Sequence, residues 1–192
     1  CIVFLSVLFL LYLHKNREKD MISEKTSKKL SELRKQGKIA VLFVCLGNIC
    51  RSPAAEGVFK EIIKEHHDEK RWVIDSAGTG GFHVGDMPDR RMRVHASHRG
   101  LTLDHICRKI KYSDFDDFDL IVAMDSSNEE DLKDIAPTAE AEEKIVMMSE
   151  FFTLATRFDY VPDPYYEGAE GFDLVLDLLQ DACATLYREL SV

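Results

Sequence analysis

The sequence predicts an α/β fold: a single domain with a central, mostly four-stranded parallel sheet flanked by helices on both faces. Three observations carry that expectation. Four short runs are continuously apolar rather than alternating, the pattern of strands buried on both faces. Helical stretches lie between them, and strands alternating with helices imply parallel pairing with helical cover. The first run also passes through a glycine-bearing loop directly into a helix, which makes a βα unit. A chain of 192 residues accommodates one such domain, with an appendage at most.

The elements follow in order. Residues 1–13, CIVFLSVLFLLYL, are apolar apart from one serine. As a helix they would span ~20 Å, short of the ~30 Å hydrocarbon core. The Lys- and Arg-rich stretch that follows favours a cytoplasmic flank, and no small-residue cleavage site is visible. Three readings stay open: a truncated signal anchor, sequence upstream of a start at Met21, or a targeting remnant. Membrane contact is expected only under the first. Between Ser23 and Lys38 the apolar positions are Leu30 and Leu33, so this stretch reads as a solvated linker or frayed helix. Residues 1–38 are therefore set apart from a domain over 39–192.

Ile39–Val44 is the first strand. Arg51-Ser52-Pro53 then opens a helix through Lys64, with Ser52 as its N-cap and Pro53 in the first turn. Val58, Phe59, Ile62 and Ile63 give that helix an apolar face. Trp72–Asp75, Leu120–Met124 and Lys144–Met148 read as further strands, with helices around 88–100, 126–135 and 170–190.

The net charge of −9 is unevenly spread. Residues 1–40 carry 9 basic and 4 acidic side chains, residues 41–113 carry 12 and 9, and residues 114–192 carry 4 and 21. An overall acidic chain argues against a nucleic-acid binder, while an anionic ligand belongs to the first two-thirds. Arg90, Arg91, Arg93, Arg99, Arg108, Lys109 and Lys111 could draw phosphorylated substrates there. Five cysteines at irregular positions do not form a secreted disulfide framework, so a reducing, cytoplasmic setting is expected. Cys45, Cys50 and the pair His66-His67 lack zinc spacing, and no metal is expected.

The chemistry lies in Cys45-Leu-Gly-Asn-Ile-Cys-Arg-Ser52. In open α/β sheets ligands bind beyond the carboxyl ends of strands. A thiol there faces a helix N-terminus, whose free N–H groups favour an anion and hence a thiolate. Arg51 can hold two oxygens of a phosphoryl group with its planar fork. Gly47 lets backbone N–H groups turn inward, and Asn48 tolerates a left-handed turn. Taken alone, a Cys at a strand end is usually a small buried hydrophobe, and a Cys followed six positions later by Arg is a weak signal.

The stretch Val41–Glu56 resembles the signature of the low-molecular-weight protein tyrosine phosphatases. The resemblance continues through Ile74–Thr79, Phe118–Asp125 with Asn128, and Val161–Tyr166, covering about 39–190. It implies a metal-independent, cofactor-free phosphatase that acts on phosphotyrosine-bearing proteins as a monomer. Cys45 would be the nucleophile, Arg51 the phosphate clamp and Asp163 the general acid. Leu46, Gly47, Asn48, Ile49, Cys50 and Ser52 would cradle the phosphate, with Ser52 also donating to the thiolate. Ser76, His105 and Asp125 would support the loop through Asn48. Tyr165, Tyr166, Phe82 and His83 would line the substrate cleft. Cys50 would be a reversible disulfide partner of Cys45, protecting it from irreversible oxidation.

Two related enzymes share this architecture. Arsenate reductases relay oxidation through more closely spaced cysteines, whereas Cys107 has no near partner in sequence and Cys183 is remote. Phosphoarginine-directed relatives carry Thr where this chain has Ile49, which favours phosphotyrosine. A catalytically dead phosphate-binding module is disfavoured because Cys45, Arg51 and Asp163 are all present.

Overall fold

Strand β1 (Ile39–Cys45) is the axis of the molecule, with all seven of its residues buried. The computed structural model describes residues 22–154 and 156–191; the apolar run 1–13 lies outside them. β1 pairs in parallel with β2 (Trp72–Gly78) on one side and β3 (Leu120–Ala123) on the other, and β3 pairs with β4 (Ile145–Met147). The order β2-β1-β3-β4 makes one four-stranded, all-parallel sheet.

The side chains of β1 alternate between two apolar layers. Ile39, Val41, Phe43 and Cys45 face the larger layer, formed with α1 (Glu24–Leu33), α2 (Arg51–Glu65), α3 (Arg90–His98) and α7 (Ala169–Ser191). Ala40, Leu42 and Val44 face the smaller one. It is closed by Phe115 of α4 (Asp114–Asp117), Leu132 of α5 (Ser126–Ile135) and Ala141 of α6 (Ala139–Glu142). Continuous apolar runs on the strands follow from this two-sided burial.

Two local expectations are corrected. Residues 24–33 form a capped helix packed into the core, not the solvated linker or frayed helix expected. Ser23 caps it through Thr26 N, Leu30 and Leu33 are buried in the larger layer, and Thr26 Oγ1 donates to Glu150 Oε1 at 3.1 Å. A stripe of two leucines is narrow, but α7 offers the matching apolar face. Ser52 is not the N-cap of α2. The helix starts at Arg51, its cap position is Cys50, and no side chain caps it. The hydroxyl of Ser52 is drawn inward by Cys45 and Asn48 instead. Among the described residues, no helix is long and apolar enough to cross a membrane.

Candidate active site

Cys45 ends β1 level with Gly78 of β2, where the strand order turns about β1 and the connections leave to opposite faces. The loop from 46 to 50 curls back into α2, so the uncapped start of that helix faces the same space. Neighbouring backbone fixes the loop from below: Thr79 N donates to Cys45 O at 2.9 Å and Gly80 N to Leu46 O at 2.8 Å. Gly78 is required here. A Cβ on it would lie 2.7 Å from Leu46 O and 3.1 Å from Asn48 N, both backbone atoms.

Asn48 is the internal fastener. It takes a positive φ of 55°, which Asn tolerates better than most residues. Its Nδ2 donates to Ser52 Oγ and to Ser76 Oγ, both at 2.9 Å. Its Oδ1 accepts from His105 Nε2 and from Arg108 N, again at 2.9 Å. The Cys107 thiol donates to the Asn48 carbonyl at 2.8 Å. His105 in turn places Nδ1 3.0 Å from Glu56 Oε2. Burial pushes the Glu56 carboxyl up, but hydrogen bonds from His105, Lys60 and Ser76 outweigh it and hold it below its ordinary range.

Arg51 is buried and stands between two carboxylates. Nη1 pairs with Asp125 Oδ2 and donates to Val161 O at 3.3 Å, and Nη2 pairs with Asp163 Oδ2 at 2.8 Å. Burial alone would push the guanidinium down; Cys45, Asp163 and Asp125 outweigh it, so the group is fully charged. Asp125 thus supports Arg51, and not Asn48 as expected, while also capping α5 through Asn128 N at 2.8 Å. Asp163 precedes a tight turn, Pro164–Tyr166, with Oδ1 accepting from Tyr165 N at 3.1 Å.

These groups enclose a pocket of about 270 Å³. Its lining comprises Cys45, Leu46, Gly47, Ile49, Cys50, Arg51, Phe82, His83, Asp163, Tyr165 and Tyr166. Of the residues expected to cradle a phosphate, Leu46, Gly47, Ile49 and Cys50 are on this lining, whereas Asn48 and Ser52 are not and are buried with Ser76 in the network that holds the loop. Phe82 and Tyr166 stand out at the rim, 77% and 93% exposed. Tyr165 meets Tyr166 edge-on at 4.9 Å.

The remaining described thiols are ill suited to attack. Burial, then Asp89, raises the Cys50 thiol far above its ordinary value. Burial, then Asp86, pushes Cys107 up to about 11, and burial raises Cys183 well above the usual thiol value. Cys45 differs in its surroundings: its Sγ lies 3.1 Å from Ser52 Oγ. Ser52 Oγ also lies 3.2 Å from Ala77 O. It has one proton to give, so a thiolate at Cys45 would take it from that carbonyl.

Among the described residues, one His/Cys/Asp/Glu group of three brings its ligand atoms within 4.8 Å: Glu56, Asp75 and His105. Those atoms are already engaged with one another and with Ser76 and Arg108, so a cation would have to break the support of Asn48. Three of the seven basic side chains expected to draw phosphorylated substrates are offset by carboxylates. Arg99 pairs with Asp173 and Asp177, Arg108 with Asp75 and Asp114, and Arg91 with Asp89. Sequence reading gave no structural role to Gly78, Asp89 or Cys107, and took Arg91 only as part of a basic field, not as the residue that bridges Asp89 to Tyr165 O. The glycine directly after an apolar strand was the available signal for the first.

A family model described as low molecular weight phosphotyrosine protein phosphatase matches residues 40–192. A Schizosaccharomyces pombe protein of that description is 44% identical over 135 residues, covering 70% of this chain and 85% of its own. The Homo sapiens protein is 35% identical over 154 residues, covering 79% and 95%. A crystal structure of a protein tyrosine phosphatase from Entamoeba histolytica superposes with a TM-score of 0.76 at 46% identity, covering 80% of this chain and 97% of that one.

Proposed function

Because the chain belongs to the low molecular weight phosphotyrosine protein phosphatase family, we propose that residues 39–192 hydrolyse phosphotyrosine in proteins through a cysteinyl-phosphate intermediate, without a metal. The observation that carries this reading is the meeting of Cys45, Arg51 and Asp163 on one pocket.

In the first step the Cys45 thiolate attacks phosphorus, the bond to the tyrosyl oxygen breaks, and Asp163 gives that oxygen a proton. Arg51 and the loop N–H groups hold the equatorial oxygens, supplying the charge stabilisation that a metal provides elsewhere. In the second step the Asp163 carboxylate takes a proton from water, the water oxygen attacks phosphorus, and Cys45 leaves as a thiolate eased by Ser52. The ion pair of Asp163 with Arg51 gives binding a role in this cycle. A phosphoryl dianion competes for the Arg51 fork, which frees the Asp163 carboxyl to turn toward the leaving oxygen. Tyr165, Tyr166 and Phe82 supply the aromatic walls for a tyrosyl ring.

The test is hydrolysis of an aryl phosphate with chelator present. Wild-type protein should turn over, Cys45→Ser should not, and Asp163→Asn should lose ~10²–10⁴ in rate while still binding phosphate. Turnover by Cys45→Ser, or its loss in chelator, would refute the proposal.

A further inference from the structure

Two separate sets of contacts join the Asp163 turn to the phosphate loop. In the first, the Asp163 segment is held by Arg51, through Asp163 Oδ2 at 2.8 Å and Val161 O at 3.3 Å. Those bonds use the same fork that a phosphoryl group needs, so substrate competes with them. In the second, a relay runs through α3. Asp89 N donates to Ile49 O of the phosphate loop at 2.8 Å. The Asp89 carboxylate receives Arg91 Nη2 at 2.8 Å and Nε at 3.1 Å. Arg91 Nη1 then donates to Tyr165 O at 3.1 Å, and Tyr165 N donates to Asp163 Oδ1 at 3.1 Å.

We infer that Arg91 is a positioning residue of this enzyme, the clamp that keeps the Asp163 turn registered on the phosphate loop while Arg51 engages the phosphoryl group. This rests on Asp163 acting as the proton donor. Arg91 suits the task because it spends nothing the anion requires. Its guanidinium carbon lies over the Tyr165 ring at 5.3 Å from its centre and over the Phe172 ring at 4.9 Å, within cation–π reach of both. Lysine would keep the charge but lose the bidentate grip on Asp89, the stacking and the geometry toward Tyr165 O. The Arg91 side chain is 47% exposed. Such a pair adds little to folding stability, which leaves placement of the turn as its main effect.

The test is kcat/KM over a series of aryl phosphates, from dinitrophenyl to unsubstituted phenyl, for wild type, Arg91→Lys, Arg91→Met and Asp163→Asn. A misplaced acid matters most when the leaving oxygen is most basic. Both Arg91 variants should lose about ten- to a hundredfold on phenyl phosphate. They should match wild type on the dinitrophenyl ester and in inhibition by inorganic phosphate. A loss equal across the series, or no loss, overturns the inference. Asp163→Asn keeps the two readings apart. If it steepens the leaving-group dependence and the Arg91 variants do not, only the Arg91 assignment falls. If it does not, the proton-donor reading falls and the clamp with it. Melting temperatures check folding, and Arg91→Lys carries the test if Arg91→Met unfolds.

Discussion

Replacing Asn48 by alanine removes four hydrogen bonds from a side chain that is 1% exposed: two donated to Ser52 and Ser76, and two accepted from His105 and Arg108. At a net ~0.5–1.5 kcal/mol each, these amount to about 2–6 kcal/mol. The survivors soften the loss. Ser52 keeps Cys45 and Ala77 O, Ser76 keeps Glu56, and His105 keeps Glu56. The Arg108 N–H and the His105 Nε2–H lose their acceptor outright. Alanine at φ 55° adds about 1 kcal/mol of backbone strain. We expect Asn48→Ala to destabilise by about 4 kcal/mol, a large share of the ~5–15 kcal/mol typical of a domain. Asn48→Gly, which loses the same bonds without the strain, should be about 0.5–1 kcal/mol milder. Urea denaturation at constant m-value measures both. A loss below about 1 kcal/mol for Asn48→Ala, or a milder alanine than glycine, would refute this account of how the loop is held.

Three further outcomes follow from the same geometry. Gly78→Ala should cut kcat/KM at least tenfold, because the new methyl meets the loop backbone and has no flexible side chain to displace; an unchanged value would remove Gly78 from the site. Leu30→Ala should destabilise by about 2–5 kcal/mol and leave KM unchanged, which separates a helix that belongs to the fold from one resting on it. Glu56 sits below its ordinary carboxylate value of 4.5, so the stability it confers is complete above that pH and fades as the pH falls through the native value. Glu56→Gln should therefore flatten the melting-temperature profile below about pH 4.5, and a profile parallel to wild type would contradict the assignment.

The sequence is legible where the chemistry is contiguous. Cys45, the loop and Arg51 lie between a strand and a helix recognisable by burial pattern alone. Asp163 meets Arg51 across 112 residues, and only the motif around it singles it out from the other carboxylates. α1 escaped because Leu30 and Leu33 make a two-residue stripe whose partner is a distant helix. Asp114 lies in an acidic run, yet its carboxylate is buried against Arg108, a pairing its sequence neighbours do not announce. The roles of Gly78, Arg91 and Cys107 stayed hidden for a shared reason. Each acts on a backbone carbonyl, of Leu46, Tyr165 and Asn48 respectively, and carbonyls leave no mark in residue identity.

The burial of β1 has a consequence for how the two halves of the catalytic apparatus breathe. A central strand hydrogen-bonded on both edges and covered on both faces can release its amide protons only when most of the domain opens. Cys45, the proposed nucleophile, ends that strand and so shares its slow exchange. Asp163, the proposed proton donor, belongs to a short turn with a half-exposed carboxylate. Amide exchange should split the site accordingly, with Phe43 and Val44 tracking global unfolding and Tyr165 and Glu167 exchanging by local opening. On the proposed mechanism, attack starts from a fixed floor, and the proton comes from a turn whose register depends on a handful of side-chain bonds.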